Sequence, residues 1–207
     1  MIEIISKGGP VMFPILLGSV LFVAIFIERL YHYHRAQIDT NEFIAGIRNI
    51  LKKGNIAEAI SICEETPGPV AHIIKSALLK HDRPKDEITK TIEDAALLEV
   101  PRLEKNLVVL ATIAHIEPLL GLFGTVIGMI QVFQKIQEMR GIVDTERLAG
   151  GIWVALITTA GGLAVAIPAF VGYNYLVSRV NGLVLDMEKS ATEVVDLLQL
   201  RKEEYEV

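Results

Sequence analysis

Three stretches of this sequence are nearly empty of charge: Val11 to Ile27, Leu107 to Phe133 and Ile152 to Val177. Each is long enough for a helix to cross the hydrocarbon core of a bilayer, which takes about 20 mostly apolar residues, with a lower limit near 17. The second is interrupted only by His115, Glu117 and Gln131, and the third has no ionisable side chain before Tyr173 and Tyr175. Yet the 207 residues also include 20 Lys+Arg and 25 Asp+Glu, so the charges are segregated from the apolar runs. The fold class this predicts is an all-α membrane protein: three transmembrane helices, with long helices extending into a cytoplasmic helical domain.

The net charge of −5 has no basic block behind it, because Lys and Arg alternate with Asp and Glu. Nucleic acid is therefore not an expected partner. A single cysteine, Cys63, excludes an internal disulfide framework, and no Cys/His cluster has zinc spacing. No nucleophile stands near a base and no phosphate loop is present, so neither enzymatic chemistry nor a cofactor or metal is expected.

Flanking charge sets the predicted orientation. The N-terminal tail, residues 1–10, holds only Lys7, whereas Arg29 and Arg35 follow the first span and Arg102 and Lys105 precede the second. The positive-inside bias puts the tail in the periplasm, residues 28–106 in the cytoplasm, the 134–151 loop in the periplasm despite Lys135, Arg140 and Arg147, and residues 178–207 in the cytoplasm as a C-terminal helix. The spans are then 11–27, 107–133 and 152–177. Trp153, Tyr173 and Tyr175 at the ends of the third suit the interfacial belt and contact with lipid.

In the cytoplasmic part, Thr40 or Asn41 is the expected cap of a helix that ends at Lys52, Lys53 and Gly54, and Asn55 of a second that stops at Thr66–Pro69. Val70 to Leu79 resumes the helical period. From Pro84, expected in a first turn, the spacing of Ile88, Ile92, Ala96, Leu103, Leu107 and Leu110 predicts one helix running unbroken into the second span, kinked at Pro101. Glu99 lies on this stripe, as a pore-lining or subunit-contact charge with a Lys or Arg partner.

Within the second span Glu117, Gly121, Gly124 and Gly128 fall in an arc of about 60°, with Thr125 at its edge. The third repeats the theme with Ala155, Thr158, Thr159, Gly161, Gly162, Ala164 and Ala166. Such faces let helices approach closely, either inside one protomer or around a partner. Pro118 and Pro168 each free one carbonyl, either lining a covered or wet interior or simply kinking the helix. A threonine hydroxyl at mid-membrane depth serves a proton path or bonds its own turn. Glu117, costing about 2.5–3.5 kcal/mol to insert, is a functional candidate; the alternatives are a neutral hydrogen-bonded acid or an ion pair near the surface. His115, two residues away, points elsewhere and reads as a satisfied interior histidine.

The run Pro118-Leu-Leu-Gly-Leu-Phe-Gly-Thr-Val-Ile-Gly-Met-Ile130 with Phe133, and the run Ala155-Leu-Ile-Thr-Thr-Ala-Gly-Gly-Leu-Ala-Val-Ala-Ile-Pro-Ala169 with Tyr173-Asn174, resemble the MotA/TolQ/ExbB proton channel family. Three spans rather than four point to its ExbB/TolQ branch. The resemblance implies a subunit of the bacterial inner membrane that forms a homopentamer around the single-span helices of an ExbD- or TolR-like dimer. Protons pass at the ring–partner interface, and the motion reaches a TonB- or TolA-like protein that spans the periplasm. The family's polar threonines correspond to Thr125 and Thr159, with Thr158 beside them, facing the central space.

One departure from the family is Val154, where many members have a glutamate; another is Glu117, where a small residue is usual. With Thr125 and Thr159 level in opposed helices, Val154 lies about 7 Å outward and Glu117 about 12 Å inward, which points Glu117 to a cytoplasmic proton exit. An ExbB-like motor for outer-membrane uptake is the leading expectation. A TolQ-like envelope, gliding or secretion motor, and a non-conducting scaffold, are the alternatives.

Overall fold

The computed structural model describes residues 8–138 and 145–205, the last four of them and 145–148 as backbone only. Every regular element among them is a helix: α1 (Met12–Ala36), α2 (Thr40–Lys52), α3 (Ile56–Glu65), α4 (Pro69–Leu78), α5 (Lys85–Glu104), α6 (Leu107–Glu138) and α7 (Thr145–Tyr205). Three helical stretches among the described residues are long and apolar enough to cross a membrane: Met12–Lys52, Lys85–Glu138 and Ala149–Arg201. The chain is thus an all-α multi-pass membrane protein. Lys7, Arg140 and the side chain of Arg147, which entered the orientation argument, lie outside the described residues.

The chain divides into two units, residues 1–28 with 106–175 and residues 29–105 with 176–207. In the first, the membrane-crossing parts of α1, α6 and α7 meet. Val11, Met12 and Ile15 are buried against Leu120, Ile127, Ile157 and Val165. Ile113, Ala114 and Ala169 form a second cluster with Phe22 and Val165. The other faces of these helices are also apolar: Phe13, Val20, Val108, Leu119, Leu156 and Val171 are exposed. A helix that is apolar all round belongs in lipid or in a large core.

The second unit is a set of short amphipathic helices. Asp39, still extended at φ −73°, ψ 96°, caps α2 by accepting the Glu42 N–H at 3.0 Å. The cap is therefore not Thr40 or Asn41, both already helical; the carboxylate one residue earlier reaches the free N–H and adds a negative charge at the positive helix end. Gly54, with φ 80°, closes α2 in the left-handed region, and Asn55 caps α3 through the Glu58 N–H at 3.3 Å, both as expected. Gly68 takes φ 115° where a Cβ would collide with the Ala36 carbonyl, and Pro69 opens α4. Ile47, Ala59, Cys63, Ile74 and Leu78 are fully buried, as are Leu176 and Val194 of α7. Arg48 pairs with Glu193, and Lys85 with Asp196 at 3.3 Å.

Two expectations fail around α5. Pro84 is the extended N-cap at ψ 153° rather than a first-turn residue. The helix also does not run on into the second span: Lys105 turns to ψ 135° and Asn106 enters the left-handed region at φ 66°. Asparagine is among the few residues other than glycine that enter it readily, so this break carries neither glycine nor proline to announce it. Pro101 stays inside α5. Ending α5 strips its last carbonyls of intrahelical donors. The Tyr33 hydroxyl donates to one of them, Leu103 O, at 2.6 Å in a buried setting. Glu99 has the cationic partner it needs in Arg102, at 2.7 Å, and a second contact at 3.1 Å to His72 Nδ1.

Candidate functional site

The face of α6 predicted from spacing is a real one: Glu117, Gly121, Gly124 and Gly128 are all buried. What buries the three glycines is α7 of the same chain. A Cβ on Gly128 would stand 2.9 Å from the Ala155 Cβ, one on Gly124 would overlap the Thr158 side chain, and one on Gly121 would lie 3.0 Å from the Thr159 Cα. In return, a Cβ on Gly162 would strike the Glu117 carbonyl and approach the Gly121 Cα to 3.1 Å. Of the two readings of these small-residue faces, close packing within one protomer accounts for all four contacts. Gly161 faces elsewhere, against the Met12 side chain of α1 at 3.2 Å.

The three threonines do different things. The buried Thr158 donates to the Ala155 carbonyl of its own helix at 2.8 Å, and the half-buried Thr125 to Leu122 O at 2.6 Å. Only Thr159 reaches across, donating to Gly121 O at 3.0 Å. The glycine contacts set the register of the two spans, so Thr159 lies level with Gly121. Thr125 stands one turn, about 6 Å, further along α6. The assumption that Thr125 and Thr159 share a level therefore does not hold.

Glu117 turns away from all three threonines. It is 2% exposed, and its Oε1 occupies the space that a Cβ on Gly18 of α1 would fill. Its Oε2 is buried without a hydrogen-bond partner. His115, expected inside, is on the outer surface of the chain. Its Nδ1 lies 2.6 Å from Ala111 O and its ring meets Phe170 edge-on at 6.3 Å, so it is satisfied without being interior. Pro118 is half-buried, and Ala114, whose carbonyl it deprives of a donor, is buried. Pro168 and its counterpart Ala164 are both exposed. Sequence reasoning passed over Gly18. Its signal was a lone glycine in a run of large apolar residues, which usually marks a close approach. A groove of about 530 Å³ in the second unit, lined by Lys85, Ile92, Val100, Met187 and Asp196 among others, holds none of the predicted site residues.

Residues 65–189, which include this whole seam, match the MotA/TolQ/ExbB proton channel family. The chain belongs to that family. It is 30% identical over 182 residues to a putative biopolymer transport protein ExbB homolog of Methanothermobacter thermautotrophicus, covering 87% of this chain and 64% of that one. It is 45% identical over 86 residues to the biopolymer transport protein ExbB of Aquifex aeolicus, covering 42% and 57%. A third relative, the Tol-Pal system protein TolQ of Haemophilus influenzae, is 39% identical over 100 residues, covering 48% and 43%. This chain thus spans less than two thirds of the length of each of the three. MotA/TolQ/ExbB is a family of proton channels and transport subunits rather than of enzymes, which agrees with a seam made of backbone, hydroxyls and one acid. The matched stretch takes in α4 to α6 and α7 as far as Lys189 and leaves out α1, so the Glu117–Gly18 contact joins a family segment to one outside it.

Proposed function

We propose that this chain is an ExbB-like motor subunit of the inner membrane, with its N-terminus in the periplasm and its C-terminus in the cytoplasm. Five copies form a ring around a dimer of ExbD- or TolR-like single-span proteins, and the proton motive force energises outer-membrane transport through a TonB-like protein. The observation that carries this reading is the Thr159–Gly121 hydrogen bond at the closest crossing of the two family spans. A hydroxyl there both donates and accepts, so it can hand on a proton or solvate a partner's carboxyl. Pro168 supports the ring. It frees the Ala164 carbonyl on an exposed face, and lipid offers no donor, so a neighbouring subunit or water covers that face. With Val154 in place of an acid, Glu117 supplies a carboxyl on the cytoplasmic side of the threonines.

The test is to co-purify the chain with the single-span protein encoded beside it, weigh the intact complex, and measure proton flux in liposomes. Thr159→Val and Thr125→Val are expected to abolish flux while the complex keeps its mass. Flux preserved in both removes the channel reading. Two other readings have support. The self-satisfied hydroxyls of Thr125 and Thr158 favour a non-conducting scaffold, which predicts that both valine variants work. The TolQ relative favours an envelope motor, which the identity of the neighbouring genes would reveal.

A further inference from the structure

The Glu117 carboxyl is the least accounted-for group in the membrane part of the chain. It lies 2% exposed, with Gly18 of α1 against its carboxyl and Gly162 of α7 against its backbone carbonyl. Neither α1 between Pro14 and Phe22 nor α7 between Gly161 and Ala169 has an ionisable side chain to face it. The nearest titratable group on its own helix, His115, is turned outward onto Ala111 O and Phe170. A carboxylate left without a cation in such surroundings would cost several kcal/mol. Uptake of a proton removes that cost and gives the carboxyl an O–H to lose.

Its surroundings also determine which way that proton can leave. On the α7 side the backbones of Gly162, Glu117 and Gly121 are in direct contact and leave no width for water. On the α1 side the carboxyl lies against Gly18, whose missing Cβ is the space that Oε1 occupies. The absent side chain thus makes room for the acid, and the carboxyl is turned to the α1 side rather than to the crossing with α7.

We propose that Glu117 and Gly18 form a proton-binding site enclosed within one chain, which exchanges its proton with water along the seam between α1 and α6 and not across the Thr159 crossing. An O–H bond forms at a carboxylate oxygen as a hydronium gives up its proton, and breaks as a water takes it back. The site is separate from any acid that a partner brings. It deepens the channel reading and rests on it for its role.

Infrared spectroscopy of the full-length chain in liposomes tests the site directly. The expected result is a protonated-carboxyl C=O band that is lost in Glu117→Gln and shifts when D2O replaces water. Gly18→Val, which wedges α1 from α6, should speed that exchange. Should Glu117→Gln not fold, a lipid-soluble carbodiimide applied to the wild-type chain gives a second readout, an adduct mapped to Glu117 by peptide mass. The absence of both band and adduct, a band that does not shift in D2O, or exchange unaltered by Gly18→Val would overturn the proposal. Proton flux separates it from the channel reading. Flux lost in Thr159→Val with no proton exchange at Glu117 overturns this site alone, whereas an exchanging Glu117 in a chain that never conducts removes the channel and supports the site.

Discussion

Thr159 donates its hydroxyl proton to the carbonyl oxygen of Gly121 across 3.0 Å, binding the third span to the backbone of the second. The bond exists because glycines on both helices let the backbones close up, and of these Gly162 comes nearest to its partner's backbone. Gly162→Ala should therefore cost about 1–3 kcal/mol through overpacking against the Glu117 carbonyl. Thr159→Val, which loses one interhelical hydrogen bond, should cost only about 0.6 kcal/mol. Unfolding of the detergent-held protein by added SDS checks both. A Thr159→Val protein as unstable as Gly162→Ala would mean that the hydroxyl matters for packing rather than for chemistry.

Tyr33→Phe should destabilise the second unit. The Tyr33 hydroxyl caps a buried carbonyl, Leu103 O, at the point where Asn106 ends α5. Losing that bond removes about 0.5–1.5 kcal/mol, and the desolvated carbonyl it strands raises the cost further. Amide hydrogen exchange along α5 should report faster opening of its last turn.

The α2 cap gives a sharper contrast. Asp39→Ala should cost about 1 kcal/mol, since it removes the acceptor for the Glu42 N–H. Thr40→Ala and Asn41→Ala, which touch no cap bond, should stay within about 0.5 kcal/mol of wild type in the same thermal melt.

Burial pushes the Cys63 thiol up from its ordinary 9.0 to about 12, with Lys75 pulling more weakly the other way. The native protein should accordingly resist a water-soluble maleimide near neutral pH, since the thiolate is scarce and the sulfur is wholly buried. Between about pH 9 and 12 the unfolded chain has lost this proton and the folded one keeps it. Stability contributed by the group is thus complete below pH 9 and falls as pH rises towards 12. Cys63→Ala should flatten the pH dependence of the melting temperature in that window; an unchanged slope would assign the alkaline loss to other groups.

The three spans, the Gly54 and Asn55 helix ends and the buried stripe of Glu117, Gly121, Gly124 and Gly128 were legible because each follows from short-range rules. Hydrocarbon thickness sets span length, missing Cβ atoms permit left-handed turns, and a period of 3.6 residues fixes which side chains share a face. The break at Lys105 and Asn106 was not legible, because asparagine fits a helix interior as well as a left-handed turn and only the packing around it selects one. Asp39 was missed as a cap for a similar reason: three polar residues in a row could each have served.

What the sequence determined alone was the class of the protein, the faces of its membrane helices and the family to which it belongs, since these depend on composition, period and motif. What only the tertiary structure decided was which face meets which. Spacing puts Glu117 on one stripe with the glycines, but the helices that cover that stripe differ along its length. The glycines close on α7, while the carboxyl, too long to fit a seam where backbones touch, finds its space at Gly18 on α1. Period is a property of one helix, and the register between helices comes only from the shapes that fit together.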